Sequence, residues 1–240
     1  MSDIDTSQNN SADEHAYFYQ IRSKQSLKEL AHLTHTVKKQ LKKHPLSKLG
    51  LPTGDTPLGM YDELVKRELD WSHVITFNLD VYLMNVDHPE SYQSYMRKNL
   101  FEKTNIYPDH SHFPFRPTSA FEDKIAGSMG IDLCILGIGT NGHIAFNEPG
   151  SSFDSRTRVV SLSEQTIKDN SRFFGSVDDT PKQAITMGLG TIMESKKIVL
   201  IANGDHKLNI LNIAMNGEVT EDVPASVLQN HENVKVYYCE

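Results

Sequence analysis

The chain has 240 residues, 38% of them hydrophobic and 23% charged, which is enough to bury a core and too apolar for a disordered polymer. Its net charge of −7 leaves no basic surplus to neutralise phosphates, which argues against a nucleic-acid binder or a ligand of acidic membranes. The two cysteines, Cys134 and Cys239, are too few for a disulfide scaffold. No apolar run is long enough to span a bilayer and no signal-peptide core is present, so the expected setting is a reducing cytoplasm.

Residues 1–15 are polar and short of large apolar side chains, and a flexible tail is expected there, with residues 16–240 forming one domain. "AYFYQI" (Ala16–Ile21) reads as a first strand. A helix is predicted next, opened by Ser26 and Glu29 as a capping box and marked by Leu27, Leu30, Ala31, Thr34, Val37 and Leu41 at helical spacing. The basic run Lys38–Lys43 falls near its solvent-facing end. Five more short apolar runs follow, "KLGL", "HVITFNL", "IDLCILGI", "KKIVLIA" and "NVKVYY", with helically periodic segments between them. Strands alternating with helices predict an α/β fold, a mainly parallel sheet with helices on both faces. In such folds ligands bind beyond the C-terminal ends of the strands.

The first strand end of interest is "LPTGDTPLGMYDEL", where Thr53, Gly54, Asp55 and Thr56 precede Pro57 at the first helical position. Free backbone N–H groups at a helix start suit a phosphate; a plain capped turn is the other reading, and the Asp55 carboxylate would repel a dianion unless its side chain points away. In "TFNLDVY", Asp80 ends an apolar run, where desolvation would raise its pKa as a general base requires; a capping role is the alternative.

"LGIGTNGHIAFNEPG" (Leu136–Gly150) contains the letters of a dinucleotide turn, but Pro149 and Gly150 deny it the helix that the pyrophosphate would need. His143 and Glu148 on one loop suit proton shuttling, or a structural contact. Arg172 in "NSRFF", after a helix, and Lys207 near a helix start are either anion ligands or ordinary surface cations. His110 and His112 have no partners at metal-ligand spacing, and no metal is expected.

Together, "GHIAFNEPGSS" with "SRTR" behind it, "LPTG" with "TPLGMY", "TFNLD", "HPESY", "NSRFF", "MGLGTI" and "VTEDVPASVLQ" resemble the glucosamine-6-phosphate deaminase (isomerase) family from about Leu49 to Tyr238. The resemblance implies an open Rossmann-like sandwich. It also implies conversion of glucosamine 6-phosphate and water to fructose 6-phosphate and ammonia, with no organic cofactor. His143 would assist ring opening, with Glu148 and Asn141 beside it, and Asp80 would move the C2 proton to C1. The Thr53–Thr56 loop, Arg172 and Lys207 would hold the phosphate, and the backbone of Gly137 and Ala145 would meet the sugar. The segment from Ser155 to about Asp179 would be a mobile lid.

The chain departs from the family pattern at several positions. Asn141 replaces an aspartate found in some members, Val81 a glutamate, Asp55 a small or neutral residue, and Val160 a lysine of the allosteric effector site. The stretch from Ile106 to Ile131 is also short. A galactosamine-6-phosphate deaminase or a non-catalytic sugar-phosphate-binding paralogue therefore stands beside the main reading, with a 6-phosphogluconolactonase more distant. The expected partner is a phosphorylated amino sugar, and a homo-oligomer is compatible with the sequence.

Overall fold

A computed structural model describes residues 16–20 and 26–239, with side chains from Leu33 onward. The expected flexible tail, residue 21, and the Ser26 and Glu29 side chains of the capping box lie outside the described residues. The chain runs through β1 (Ala16–Gln20), α1 (Ser26–Lys43), β2 (Lys48–Leu51), α2 (Leu58–Val65), β3 (Ile75–Asn78), β4 (Asp80–Tyr82), α3 (Tyr92–Asn99), β5 (Ser111–His112) and α4 (Thr118–Gly127). It continues through β6 (Leu133–Gly137), β7 (Arg158–Ser161), α5 (Glu164–Phe174), β8 (Gln183–Thr186), α6 (Leu189–Met193), β9 (Ile198–Asn203), α7 (Leu208–Asn216) and β10 (Val234–Cys239).

Seven strands form one sheet in the order β1-β10-β9-β6-β2-β3-β5, and every pairing in it is parallel. The six apolar runs of the sequence supply six of these strands. The seventh, β5, has two residues, too few to leave a periodic signal.

Strand alternation divides the core in two. Leu133 and Ile135 of β6 join Val37 and Leu41 of α1, Met60 and Leu64 of α2, and Met96 of α3 on one face. Cys134 and Leu136 join Phe121 and Ile125 of α4, Ile192 of α6, and Leu211 of α7 on the other. Burial of both faces explains why the strands read as continuous apolar runs, each buried Leu or Ile contributing about 1.5–3 kcal/mol. The strand order reverses between β2 and β6, since β3 and β5 extend one way and β9 and β10 the other. That reversal opens a crevice at the C-terminal edge, where ligands bind in such sheets.

Four local features differ from expectation. A second, antiparallel sheet, β4-β8-β7, was not predicted. The run through Asp80 is two strands: β3 ends at Asn78, and Asp80 opens β4 by pairing with Thr186 of β8. Pro57 is the residue before α2 rather than its first. Arg172 lies inside the last turn of α5, not after it.

Candidate active site

The loop after β6 carries no helix, in line with its proline and glycine. A lone bridge between Ile144 and Asn147 curls it, and Ala145 sits at a positive φ of 51°. Gly139 is required by packing. A Cβ there would lie 2.2 Å from the Cε1 and Nδ1 atoms of the His143 ring, so only glycine lets the imidazole lie against this backbone.

His143 and Glu148 come together, but through an intermediary. Nδ1 of His143 is 2.7 Å from Oδ1 of Asn141 and 3.7 Å from the Glu148 carboxylate. Asn141 Nδ2 donates to Glu148 Oε2 at 2.8 Å, and Asn141 Oδ1 also accepts from the His143 backbone N–H at 3.2 Å. An ionised carboxylate only accepts, which fixes the NH2 end of the amide towards Glu148 and its oxygen towards the ring. Nδ1 therefore carries the proton, and Nε2 is left as the lone-pair nitrogen. Burial lowers the His143 pKa, and Lys207 lowers it further, against the pull of Glu148 and Asp169. The ring is neutral at neutral pH and can accept a proton at Nε2.

Asp80 is 7% exposed, and burial alone pushes its carboxyl up to about 7. A carboxylate with that pKa can both take and return a proton near neutrality. Its strand fixes its relation to the His143 loop. Thr186, the partner of Asp80 across β8, accepts a hydrogen bond from Phe146 N–H at 3.0 Å through Oγ1. Asn147 Nδ2 donates to Met187 O at 2.8 Å, and Met187 N–H donates to Leu79 O at 2.7 Å. Asp80 and the His143 loop are thus both tied to β8 and to the residue that follows it. Val81, the departure beside Asp80, is a buried strand residue paired with Ile185.

The Thr53–Thr56 loop leads from β2 into α2. Gly54 has a φ of 92°, a conformation that favours glycine. Tyr61 Oη donates to Pro52 O at 2.6 Å, and Tyr95 Oη to Gly54 O at 2.5 Å, so two tyrosines buttress the loop from beneath. The Tyr92 ring packs 4.7 Å from that of Tyr82, and burial, with Tyr82 and Asp80 nearby, pushes its hydroxyl well above the ordinary tyrosine pKa.

Arg172 reaches this loop from α5. Its Nη2 is 2.7 Å from Asp55 Oδ2, and its guanidinium rests over the Phe173 ring at 4.7 Å. Lys207 stands at the N-terminal end of α7, half-buried, with its pKa lowered by burial and by Arg172. Asp80, Asn141, His143, Glu148, the Thr53–Thr56 loop, Arg172 and Lys207 accordingly converge on the crevice. Gly137 ends β6 at its mouth, with open space where a Cβ would point.

A family profile described as "Glucosamine-6-phosphate isomerases/6-phosphogluconolactonase" matches residues 22–237. The chain belongs to this family. Within it, a glucosamine-6-phosphate deaminase of Thermoanaerobacter sp. (strain X514) is 47% identical over 212 residues, 83% of this chain and 84% of that one. Glucosamine-6-phosphate deaminase 2 of Bacillus subtilis (strain 168) is 48% identical over 214 residues, covering 83% and 86%. The fold matches a solved monomeric glucosamine-6-phosphate deaminase with a TM-score of 0.86 and 36% identity, covering 94% of this chain and 97% of that one. The sandwich expected from the family resemblance is therefore the observed fold.

Several residues of the site carried no distinct signal in the sequence. Tyr92 and Tyr82 fall within family-like segments, but nothing in their spacing tells that their rings pack together. Thr186 and Asp169 act through partners far along the chain. Asn141 was named through the family resemblance, and its own surroundings in the chain did not mark it.

Proposed function

We propose that the protein is a glucosamine-6-phosphate deaminase, turning glucosamine 6-phosphate and water into fructose 6-phosphate and ammonia. The observation that carries the reading is the pairing of a buried carboxylate, Asp80, poised near pH 7, with an imidazole whose Nε2 is a free base. Both are held at the strand reversal beside a loop suited to phosphate. Related chains named for this activity, at 47% and 48% identity, favour it over the galactosamine epimer, a lactonase or a non-catalytic paralogue.

His143 Nε2 takes the proton of the C1 hydroxyl and passes one to the ring oxygen, opening the sugar. Asn141 and Glu148 keep its Nδ1 protonated while charge develops on the ring. Asp80 then removes the C2 proton, giving an enolamine, and returns it to C1. The resulting C2 imine is hydrolysed by water, which releases ammonia and leaves the ketose. The N–H groups of the Thr53–Thr56 loop, with Arg172 and Lys207, hold the phosphate. The backbone of Gly137 and Ala145 lines the sugar, and the 155–179 segment, with α5 at its centre, closes over it and excludes water.

Residues 16–240 act as one domain in this reading, and the setting is the cytoplasm. No helix among the described residues is long and apolar enough to cross a membrane. The homo-oligomer is a separate expectation, removed if light scattering shows a single species of 27.1 kDa. Ammonia release coupled to fructose 6-phosphate formation tests the activity. Absence of turnover by folded protein on glucosamine 6-phosphate would overturn it.

A further inference from the structure

Two acidic side chains face the two cations expected to hold the phosphate. Asp55 is bound to Arg172 at 2.7 Å, and the field of Asp169 reaches Lys207. Asp169 and Arg172 are three residues apart on α5 and so lie on one face of the helix. Each engages a different loop of the site. Asp169 Oδ2 accepts from Thr140 Oγ1 at 3.2 Å, while its other oxygen accepts from Gln165 Nε2 at 2.6 Å. The lid helix is thus clasped twice, to the His143 loop through Asp169 and to the anion loop through Asp55.

We propose that Asp55 is a built-in competitor of the substrate phosphate, which holds Arg172 and clasps α5 to the anion loop until a phosphate displaces it. The inference rests on the sugar-phosphate reading of the site. Asp55 is suited to exchange rather than to permanent pairing. Its side chain is 54% exposed and that of Arg172 is 65% exposed, and a pair in that setting is weakly held. A phosphate offers Arg172 more charge and a two-oxygen contact in place of one carboxylate bond. The backbone around Asp55 does not have to move for this. Tyr95 fixes Gly54 O, and only the aspartate side chain need rotate away. The same carboxylate, left beside a bound dianion, would repel it, so the residue sets a lower phosphate affinity than a neutral one would.

The test uses Asp55→Asn and Asp55→Ser in the full chain. Calorimetric titration with inorganic phosphate should show about three- to tenfold tighter binding than wild type, and the gap should narrow in high salt. The KM for glucosamine 6-phosphate should fall in parallel. Amide exchange across residues 164–174 should be faster in both variants without phosphate and slow again when phosphate is added, a response that a purely structural aspartate would not give. Phosphate binding that is unchanged or weaker in both variants would overturn the proposal, as would α5 exchange that ignores the substitutions. If wild type fails to turn over glucosamine 6-phosphate, the functional reading falls. The phosphate titration still decides the role of Asp55 in that case.

Discussion

Asn141 stands between His143 and Glu148, accepting the Nδ1 proton at 2.7 Å and donating to the carboxylate at 2.8 Å. The amide transmits the orientation that a carboxylate would impose while keeping a second negative charge away from Glu148. Asn141→Ala should free the ring to change tautomer and lower kcat/KM by about 10- to 100-fold with little change in KM. Asn141→Asp would set two carboxylates at hydrogen-bond distance, so one of them should hold a proton. That variant should keep more activity than the alanine form and show a new titration in its pH–rate profile. Equal activity of Asn141→Ala and wild type would remove Asn141 from the relay.

Gly139 places the ring by having no side chain. Its Cβ would intrude to 2.2 Å on His143, so Gly139→Ala must push the imidazole off its position. The backbone there has no positive φ to forbid alanine, and folding should survive. A displacement on the order of 1 Å is expected to cost about 10²-fold in kcat. Unaltered thermal denaturation with wild-type turnover would show that the ring has room to relax.

The burial of Asp80 links function to stability. Its carboxyl is raised from 3.8 to about 7, so the native state prefers the protonated form. Its stabilising effect is complete below the unfolded pKa near 4 and is lost as pH rises through 7. Asp80→Asn, neutral at every pH, should match wild type in stability near pH 4 and exceed it by roughly 2–4 kcal/mol at pH 8. Ammonia release should be lost in the same variant, while the wild-type rate falls as pH drops below about 7. Denaturant titrations at the two pH values check the first claim. A variant less stable than wild type at pH 8 would contradict the burial argument.

Asp80, His143 and Asp55 also mark how far the sequence could be read. Asp80 and His143 were found because they follow apolar runs, and in a parallel sheet such positions face the ligand edge. The strands of the large sheet were legible because central ones such as β6 and β9 are buried on both faces, so their runs are continuously apolar. The small antiparallel sheet was not legible: β4 adjoins β3 without a turn signal, and β7 is half-exposed with no alternation. The Asp55 carboxylate could be recognised as out of place in a phosphate loop. Its partner could not, because Arg172 arrives from a helix 117 positions later, and sequence spacing says nothing of that approach.

Lys207 is half-buried at the start of α7, where a helix dipole disfavours a cation, and its pKa is lowered by burial and by Arg172. A lysine kept there suits an incoming anion. Lys207→Met, which retains the apolar stem, should raise the KM for glucosamine 6-phosphate about 10- to 100-fold while leaving the fold intact. The field of Lys207 also lowers the pKa of His143, so the same change should move the imidazole titration upward, readable by NMR. A KM within twofold of wild type would place the phosphate elsewhere.

Glu122 of α4 anchors the start of the 155–179 segment. It accepts from Thr157 N–H at 2.8 Å, from Thr191 Oγ1 at 2.8 Å, from Arg156 Nη2 at 2.7 Å, and from the Thr157 hydroxyl. Burial would raise its pKa, but the bonds from Thr157 and Thr191 and the charge of Arg156 outweigh it and hold the carboxyl below its usual value. A depressed pKa means stability that is present above the unfolded value and lost as pH falls through the folded one. Glu122→Gln replaces one accepting oxygen by an NH2 group and removes the charge that all four donors meet, and should cost about 1–3 kcal/mol at pH 7. The difference from wild type should shrink as the pH falls below the ordinary glutamate range, where the native carboxylate takes up its proton in turn. Arg156 would still bind Glu194 at 2.6 Å, so the loosening should centre on Thr157 and β7 and appear as faster amide exchange there. Unchanged exchange in β7 would mean that its pairing with β8 alone fixes this stretch of chain.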